Sequence, residues 1–143
     1  MLVRGEAHVE LTKVLVDIAA ARAPGEPCSV HEQRGQKAYA APVFIALGAA
    51  ISTDSRVPKL EQLLSVGAAT MNMLNAIHAM GYGGFCATSP DAYDPHLHAA
   101  LDFEPNERLL GFLFVSSPKS PESTAPRPPR ANHVREWLGR TSV

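Results

Sequence analysis

A chain of 143 residues, 45% hydrophobic and 19% charged, has the size and balance of a single soluble globular domain. Its formal net charge of -1 offers no electrostatic basis for binding nucleic acid or an acidic membrane surface, so functions that rest on a basic face are excluded. Two cysteines, Cys28 and Cys86, suit neither a disulfide framework nor a zinc cluster, and free thiols in a reducing cytoplasm are expected.

The opening MLVRG reads as a short strand, and its flanks lack the basic and apolar regions of a signal peptide. From Glu6 onward, apolar residues at Val9, Leu11, Val14, Leu15, Ile18 and Ala19 fall near helical spacing and predict an amphipathic helix, ended by Pro24, Gly25 and Pro27. Residues 24 to 38 are polar and read as a surface loop that can hold a helical turn. APVFIALGA, residues 41 to 49, is a continuous apolar run of strand length, and ISTDSRV is a second loop.

The longest element follows. Pro58 suits a first helical turn, no proline intervenes from Lys59 to Met80, and Gly81 stands where helices commonly stop. Leu60, Leu63, Leu64, Met71 and Leu74 cluster on one face; Ser65, Ala68, Ala69, Asn72, Ala76 and Ala79 cluster on the other. Residues 62 to 90 contain no Asp, Glu, Lys or Arg. Polar residues and glycines interrupt this stretch, so it falls short of the roughly 18 apolar residues of a spanning helix. The expectation is a helix buried on both faces, with its small-residue side open to close approach by another helix.

GGFCATS is a short strand bounded by Gly and Pro; Asp94-Pro95 caps and opens a short helix, PHLHAALDF; and RLLGFLFVSS, residues 108 to 117, is a further internal strand. After Ser117 the chain turns proline-rich and reads as an extended arm, with Val134, Trp137 and Leu138 as the anchors of a possible short helix. Trp137, the sole tryptophan, is expected to dock on something, a second subunit included. The sum is an α+β or α/β sandwich, a small sheet covered by helices, with a core over residues 1–117 and an arm over 118–143; the α+β form is the one expected.

The residues offer little local chemistry. His96 and His98 are two apart on a helix and point away from each other. His31 lies in a loop without a partner, and His78 reads as a satisfied core or helix-end histidine. No metal-ligand, nucleophile-elbow or dinucleotide pattern occurs: Gly81, Gly83 and Gly84 give G-x-G-G after a helix rather than before one. Cys86 has no adjoining cation to activate it. By spacing alone GYGGFCATSP is a helix stop and a tight entry into a strand.

Taken in order, the motifs are more specific. They are Ala41-Pro42, Arg56-Val57-Pro58, Glu61-Gln62, Ser65, the helix closing in His78-Ala79-Met80-Gly81, Gly83-Gly84, AYDP, and LLGFLFVSSP. This set resembles the nitroreductase family of flavin-dependent oxidoreductases, in particular its smaller branch of NAD(P)H nitroreductases, over about residues 1 to 118. The resemblance implies a nitroreductase-like sandwich and a homodimer with FMN at the subunit interface. It implies ping-pong transfer of hydride from NADH or NADPH, through the flavin, to a small-molecule acceptor such as a nitroaromatic or a quinone. Cys86, Ala87 and Thr88 match the family's cofactor-contacting segment, Gly83 and Gly84 would clear space beside the ring, and Ala76 to Gly81 match a nicotinamide-nucleotide contact. No side chain is given a catalytic role and no metal is implied, because the flavin carries the chemistry.

The sequence also departs from the family pattern. The family's Trp-Arg pair is Cys86-Ala87 here. In the family a helix carrying Arg-Arg-Ser, which grips the FMN phosphate, and a second helix precede the first strand. This chain begins at that strand, so it reads as lacking those N-terminal phosphate-binding helices. Losing two or three charge-assisted hydrogen bonds, each about 1.5–3 kcal/mol, weakens binding by about 10³-fold or more. Arg127 and Arg130 of the arm are candidates to reach a phosphate in a partner subunit. The alternative expectation is a non-catalytic family member, acting as a dimeric flavin-binding or interaction module.

Overall fold

The computed structural model describes residues 1–119, 126 and 128–139. Four strands form one sheet: β1 (Leu2–Arg4), β2 (Val43–Ala50), β3 (Gly83–Ala87) and β4 (Glu107–Ser116). They run in the order β1-β2-β4-β3, and every neighbouring pair is antiparallel. The two long apolar runs, β2 and β4, lie at the centre, where both faces are covered. The short β1 and β3 form the edges. The architecture is α+β, as the residue pattern predicts.

Helix α1 (Ala7–Arg22) covers one face of the sheet together with α2 (Cys28–Gly35), a 3-10 turn at Gln36–Tyr39, and α4 (Pro95–Ala100). Between them and the sheet lies the core: Val3, Leu11, Ile18, Phe44, Leu97, Leu101 and Phe112 are all buried. Phe44 meets Phe112 edge-on at 5.5 Å and Phe114 at 5.6 Å, so this face has an aromatic floor. Asp94 caps α4 as expected, its carboxylate accepting the His96 amide at 3.0 Å with Pro95 in the first turn.

Three expectations within residues 1–117 need correction. Residues 28 to 35 form a helix rather than a loop. Its cause is packing: a side chain at Gly35 would sit 2.5 Å from Val16 and 3.0 Å from the Thr12 carbonyl, so α2 can lie close on α1 only because that position is bare. Next, α1 buries His8 and leaves Val9 exposed. The His8 ring stacks on Tyr39 at 5.6 Å and abuts Phe44 at 5.2 Å, and its Nδ1 bonds the Gly5 carbonyl at 3.1 Å. His31, placed in a loop by sequence, is buried on α2.

The third correction concerns α3 (Lys59–Ala79), on the opposite face of the sheet. It contains no buried residue. Gln62, Leu63, Val66, Thr70, Met73, Leu74 and Ile77 are half-covered, while Leu60, Leu64 and Met71 are exposed. The apolar set therefore splits, with Leu63 and Leu74 inward and Leu64 and Met71 outward at 62% and 56% exposure. Within a single chain only one side of this uncharged rod is covered. Its ends match expectation: Pro58 precedes it, and Gly81 follows with φ +81, the left-handed stop that glycine adopts freely.

β2 and β4 pair with one irregularity: Leu47 faces Gly111 and Gly48 faces Leu109, so Leu110 is an extra residue. Gly111 has φ +145, and a side chain there would meet the Ala87 carbonyl oxygen at 2.6 Å. The bulge thus lets β3 finish tight against β4 just before Thr88. In the arm, residues 130–132 make a 3-10 turn rather than a longer helix, and Trp137 is 84% exposed, so it is not docked among the described residues. Arg127 lies outside the described residues.

Candidate functional site

The segment from Gly83 to Ser89 runs along the edge of the sheet, and the register fixes which way each residue looks. Gly84 and Cys86 sit on the α3 side, because Cys86 pairs with Leu113 and a side chain at Gly84 would strike Leu74 at 2.9 Å. Phe85 and Ala87 pair with Phe114 and Phe112 and share the aromatic face with them. Cys86 and Ala87 therefore look to opposite faces and cannot both present side chains to one ligand. The absence of a side chain at Gly84 is accounted for by close packing of α3, so the idea that the glycines clear room for a ring rests on Gly83. Ala76 is exposed on α3 and Gly81 ends that helix; both belong to the layer across the sheet from the aromatic floor.

Two open troughs lie on that floor and share Phe114. One, of about 170 Å³, is lined by Leu11, Leu15, Phe44, Phe112 and the wall Ala87-Thr88-Ser89, with Lys37 and Asp91 as its only charged residues. The other, of about 350 Å³, is lined by Ala40, Ala41, Gly83, Gly84, Phe85 and Ser116. A flat, largely apolar ring fits such a surface: aromatic floor, bare backbone at Gly83, and few polar side chains, Lys37, Thr88, Ser89, Asp91 and Ser116, around it. The smaller trough falls short of the roughly 300–1,000 Å³ that encloses a drug-sized ligand and the other reaches only its lower end, and both open outward past β3, where Phe85 is 67% exposed. A larger groove of about 660 Å³ lies between α1 and α4, but none of the positions expected to contact the cofactor lines it.

The wall after β3 is fastened at long range. Arg22, the last residue of α1, donates to Asp91 Oδ1 at 2.6 Å and to Asp94 Oδ2 at 3.1 Å. Asp91 Oδ2 accepts from the Ser89 hydroxyl at 3.0 Å, and His98 Nε2 lies 2.7 Å from the Ala92 carbonyl. The Asp91 carboxylate, followed by that of Asp94, raises the Arg22 guanidinium above its ordinary value. Sequence reasoning missed Arg22, Lys37, Ser89 and Asp91. Only the Ser89–Asp91 spacing was visible locally; the partners of Arg22 lie 69 and 72 residues away.

Among the described residues no group of three or more His, Cys, Asp or Glu could hold a metal ion, and no helix is long and apolar enough to cross a membrane. Cys28 and Cys86 are both exposed and free.

Comparison with known proteins agrees with this geometry. The model of the nitroreductase family matches residues 5–116. The "Putative NAD(P)H nitroreductase YdjA" of Escherichia coli (strain K12) is 27% identical over 124 residues, which cover 87% of this chain and 67% of that protein. Among solved structures, a nitroreductase-like family protein from Bacillus cereus superposes with a TM-score of 0.73 at 17% identity, over 97% of this chain and 72% of that one. The FMN-dependent nitroreductase NfnB from Mycobacterium smegmatis, in complex with NADPH, gives 0.67 at 18% identity, over 96% and 77%. Such distant structural likeness shows the fold, and the family match spans most of the chain. The chain belongs to the nitroreductase family.

Proposed function

We propose that the protein is an FMN-dependent oxidoreductase that takes hydride from NADH or NADPH and passes it to a nitroaromatic, quinone or similar small acceptor. The observation that carries this reading is the aromatic-floored trough bounded by Ala87 and Thr88, two of the three residues that match the family's cofactor contact, with Ser89 beside them. Bound flavin would supply the redox chemistry. The chain's own part is to seat the ring on Phe112 and Phe114, to offer the polar groups of the 87–89 wall, and to exclude water from the floor.

The working unit in this proposal is a homodimer. α3 carries no charge from Gln62 to its end, and its outer side exposes Leu60, Leu64 and Met71 beside small residues. An apolar face of this kind marks an interface, and a second copy, with the same uncharged rod, is the matching occupant. A second copy would also close the troughs that stand open past β3. The two free cysteines suit a reducing cytoplasm.

One observation favours the second reading, a non-catalytic dimeric module: Cys86 and Ala87 bring neither the aromatic ring nor the cation of the family's Trp-Arg pair. An absorbance spectrum of the purified protein, with and without added FMN, separates the two. A flavin band with oxidation of NADH or NADPH supports the enzyme; a colourless protein that takes up no FMN overturns it.

A further inference from the structure

The ladder that holds β3 ends at Ala87, which pairs with Phe112. Thr88 and Ser89 lie beyond it, yet both line the smaller trough. Backbone bonds resume in the 3-10 turn at Pro90–Tyr93, where the Ala92 N–H donates to the Ser89 carbonyl at 3.0 Å and the Asp94 N–H to the Asp91 carbonyl at 2.9 Å. That turn is tied to the far end of another element. Arg22 donates to Asp91 Oδ1, and Asp91 Oδ2 accepts from the Ser89 hydroxyl, so one carboxylate joins the end of α1 to the wall. Arg22 also donates to Asp94, the cap of α4, and is thereby held from two sides. Its place on α1 agrees. Leu11, Leu15 and Arg22 recur at spacings of four and seven and fall in one stripe of the helix. The two leucines line the trough, and Arg22 stands at the end of their row. Arg22 lines the groove of about 660 Å³ between α1 and α4, whereas Asp91, its partner at 2.6 Å, lines the trough. The ion pair lies between the two cavities.

We propose that the Arg22–Asp91 pair is the end wall of the trough, and that Arg22 is a positioning residue: acting through Asp91, it holds Thr88 and Ser89 at the edge of the aromatic floor. The ring that this wall meets is the flavin of the reading above, on which that part of the proposal rests. Arginine suits the task. Its planar fork reaches carboxylates on two different elements at once, which a single ammonium on a flexible stem does less rigidly. Asp91 and Asp94 are largely covered, with side-chain exposures of 21% and 17%, so the bridge is better shielded from water and salt than an open surface pair. The opposite side of the wall is fixed by β4, where the bare Gly111 leaves room for Ala87 and Thr88 to lie close. Two fastenings from distant parts of the chain therefore meet on one short segment.

The test compares the wild type, Arg22→Gln, Asp91→Ala and the double variant in two readouts. The first is amide hydrogen exchange without flavin, read by NMR. The Ala92 and Asp94 amides report the turn, and the Ile51 amide, bonded to the Asn106 carbonyl at 2.9 Å, reports a distant part of the fold. Arg22→Gln should speed exchange at Ala92 and Asp94 by about three- to tenfold more than at Ile51. The second is FMN affinity, by quenching of flavin fluorescence. Arg22→Gln should weaken it by about three- to tenfold and Asp91→Ala at least as much. The double variant should lose no more than Asp91→Ala alone, because both residues act through one link. Lys13→Gln, which removes the exposed pair with Glu10 elsewhere on α1, should leave binding unchanged.

Equal acceleration of all three amides reduces Arg22 to a structural role and overturns the proposal. Additive losses of affinity in the double variant separate Arg22 from Asp91 and overturn the link between them. Faster exchange in the turn with FMN affinity unchanged overturns the positioning of the ring while leaving the flavin reading intact. If the wild type takes up no FMN, the flavin reading falls, and amide exchange alone decides whether Arg22 holds the wall.

Discussion

Gly111→Ala is the most informative single change in the core. Gly111 sits at the β-bulge with φ +145, a conformation that side-chain-bearing residues rarely adopt. Forcing alanine there costs about 1–3 kcal/mol in backbone strain. The new methyl would also lie 2.6 Å from the Ala87 carbonyl oxygen, nearly an ångström short of ordinary contact, and 3.4 Å from Thr88 Cβ. The close obstacle is backbone of a paired strand, so it cannot simply rotate away; overpacking of this kind adds about 1–3 kcal/mol. The expected total is roughly 2–6 kcal/mol, against a typical domain stability of about 5–15 kcal/mol. Thermal and urea unfolding followed by circular dichroism measure it. Gly81→Ala is the control, because Gly81 also has positive φ (+81) but nothing within 4 Å of the added carbon, and it should lose only the conformational part, about 1–2 kcal/mol. If Gly111→Ala proves no more damaging than Gly81→Ala, the steric argument for the bulge is wrong. Because the clash displaces Ala87 and Thr88, flavin affinity should fall in Gly111→Ala and not in Gly81→Ala.

Leu64→Glu and Met71→Glu place a charge on the exposed side of α3 and should convert the proposed dimer to a monomer in light scattering behind size exclusion; a dimer unchanged by them would move the interface off this helix, and a monomeric wild type would overturn the dimer itself. Leu97→Ala removes a side chain with no exposed area and should cost about 2–5 kcal/mol in urea unfolding. Asp94→Ala deletes the α4 cap and one of the two carboxylates on Arg22, and should cost about 1 kcal/mol, well below Leu97→Ala. The Asp91 and Asp94 carboxylates hold the Arg22 guanidinium above its ordinary value in the folded state, so its contribution is fully present below that ordinary value and is lost only as pH rises through the raised one. The difference in Tm between wild type and Arg22→Gln should accordingly stay constant from neutral to mildly alkaline buffer, and a difference that vanishes over that range would contradict the assignment.

Much of this molecule follows from interactions between residues close in sequence. The apolar runs of β2 and β4 specify strands covered on both faces; Asp94-Pro95 caps and opens α4; Pro58 and Gly81 delimit α3. Each works through interactions within a turn or two, which the order of residues displays directly. The ordered motifs, though individually weak, were enough to indicate the family. Three features arise only when distant segments meet. α2 is helical because Gly35 lets it close on Thr12 and Val16, although its own residues are mostly polar. The two sides of α3 are told apart by the sheet, which covers Leu63 and Leu74 and leaves Leu64 and Met71 exposed, a split that the hydrophobicity of the residues does not encode. The charge of the candidate site depends on Arg22 reaching Asp91 and Asp94 across some seventy residues. Coulomb pairing depends on separation in space, so whether Asp91 stands free or engaged was settled only once the chain had folded.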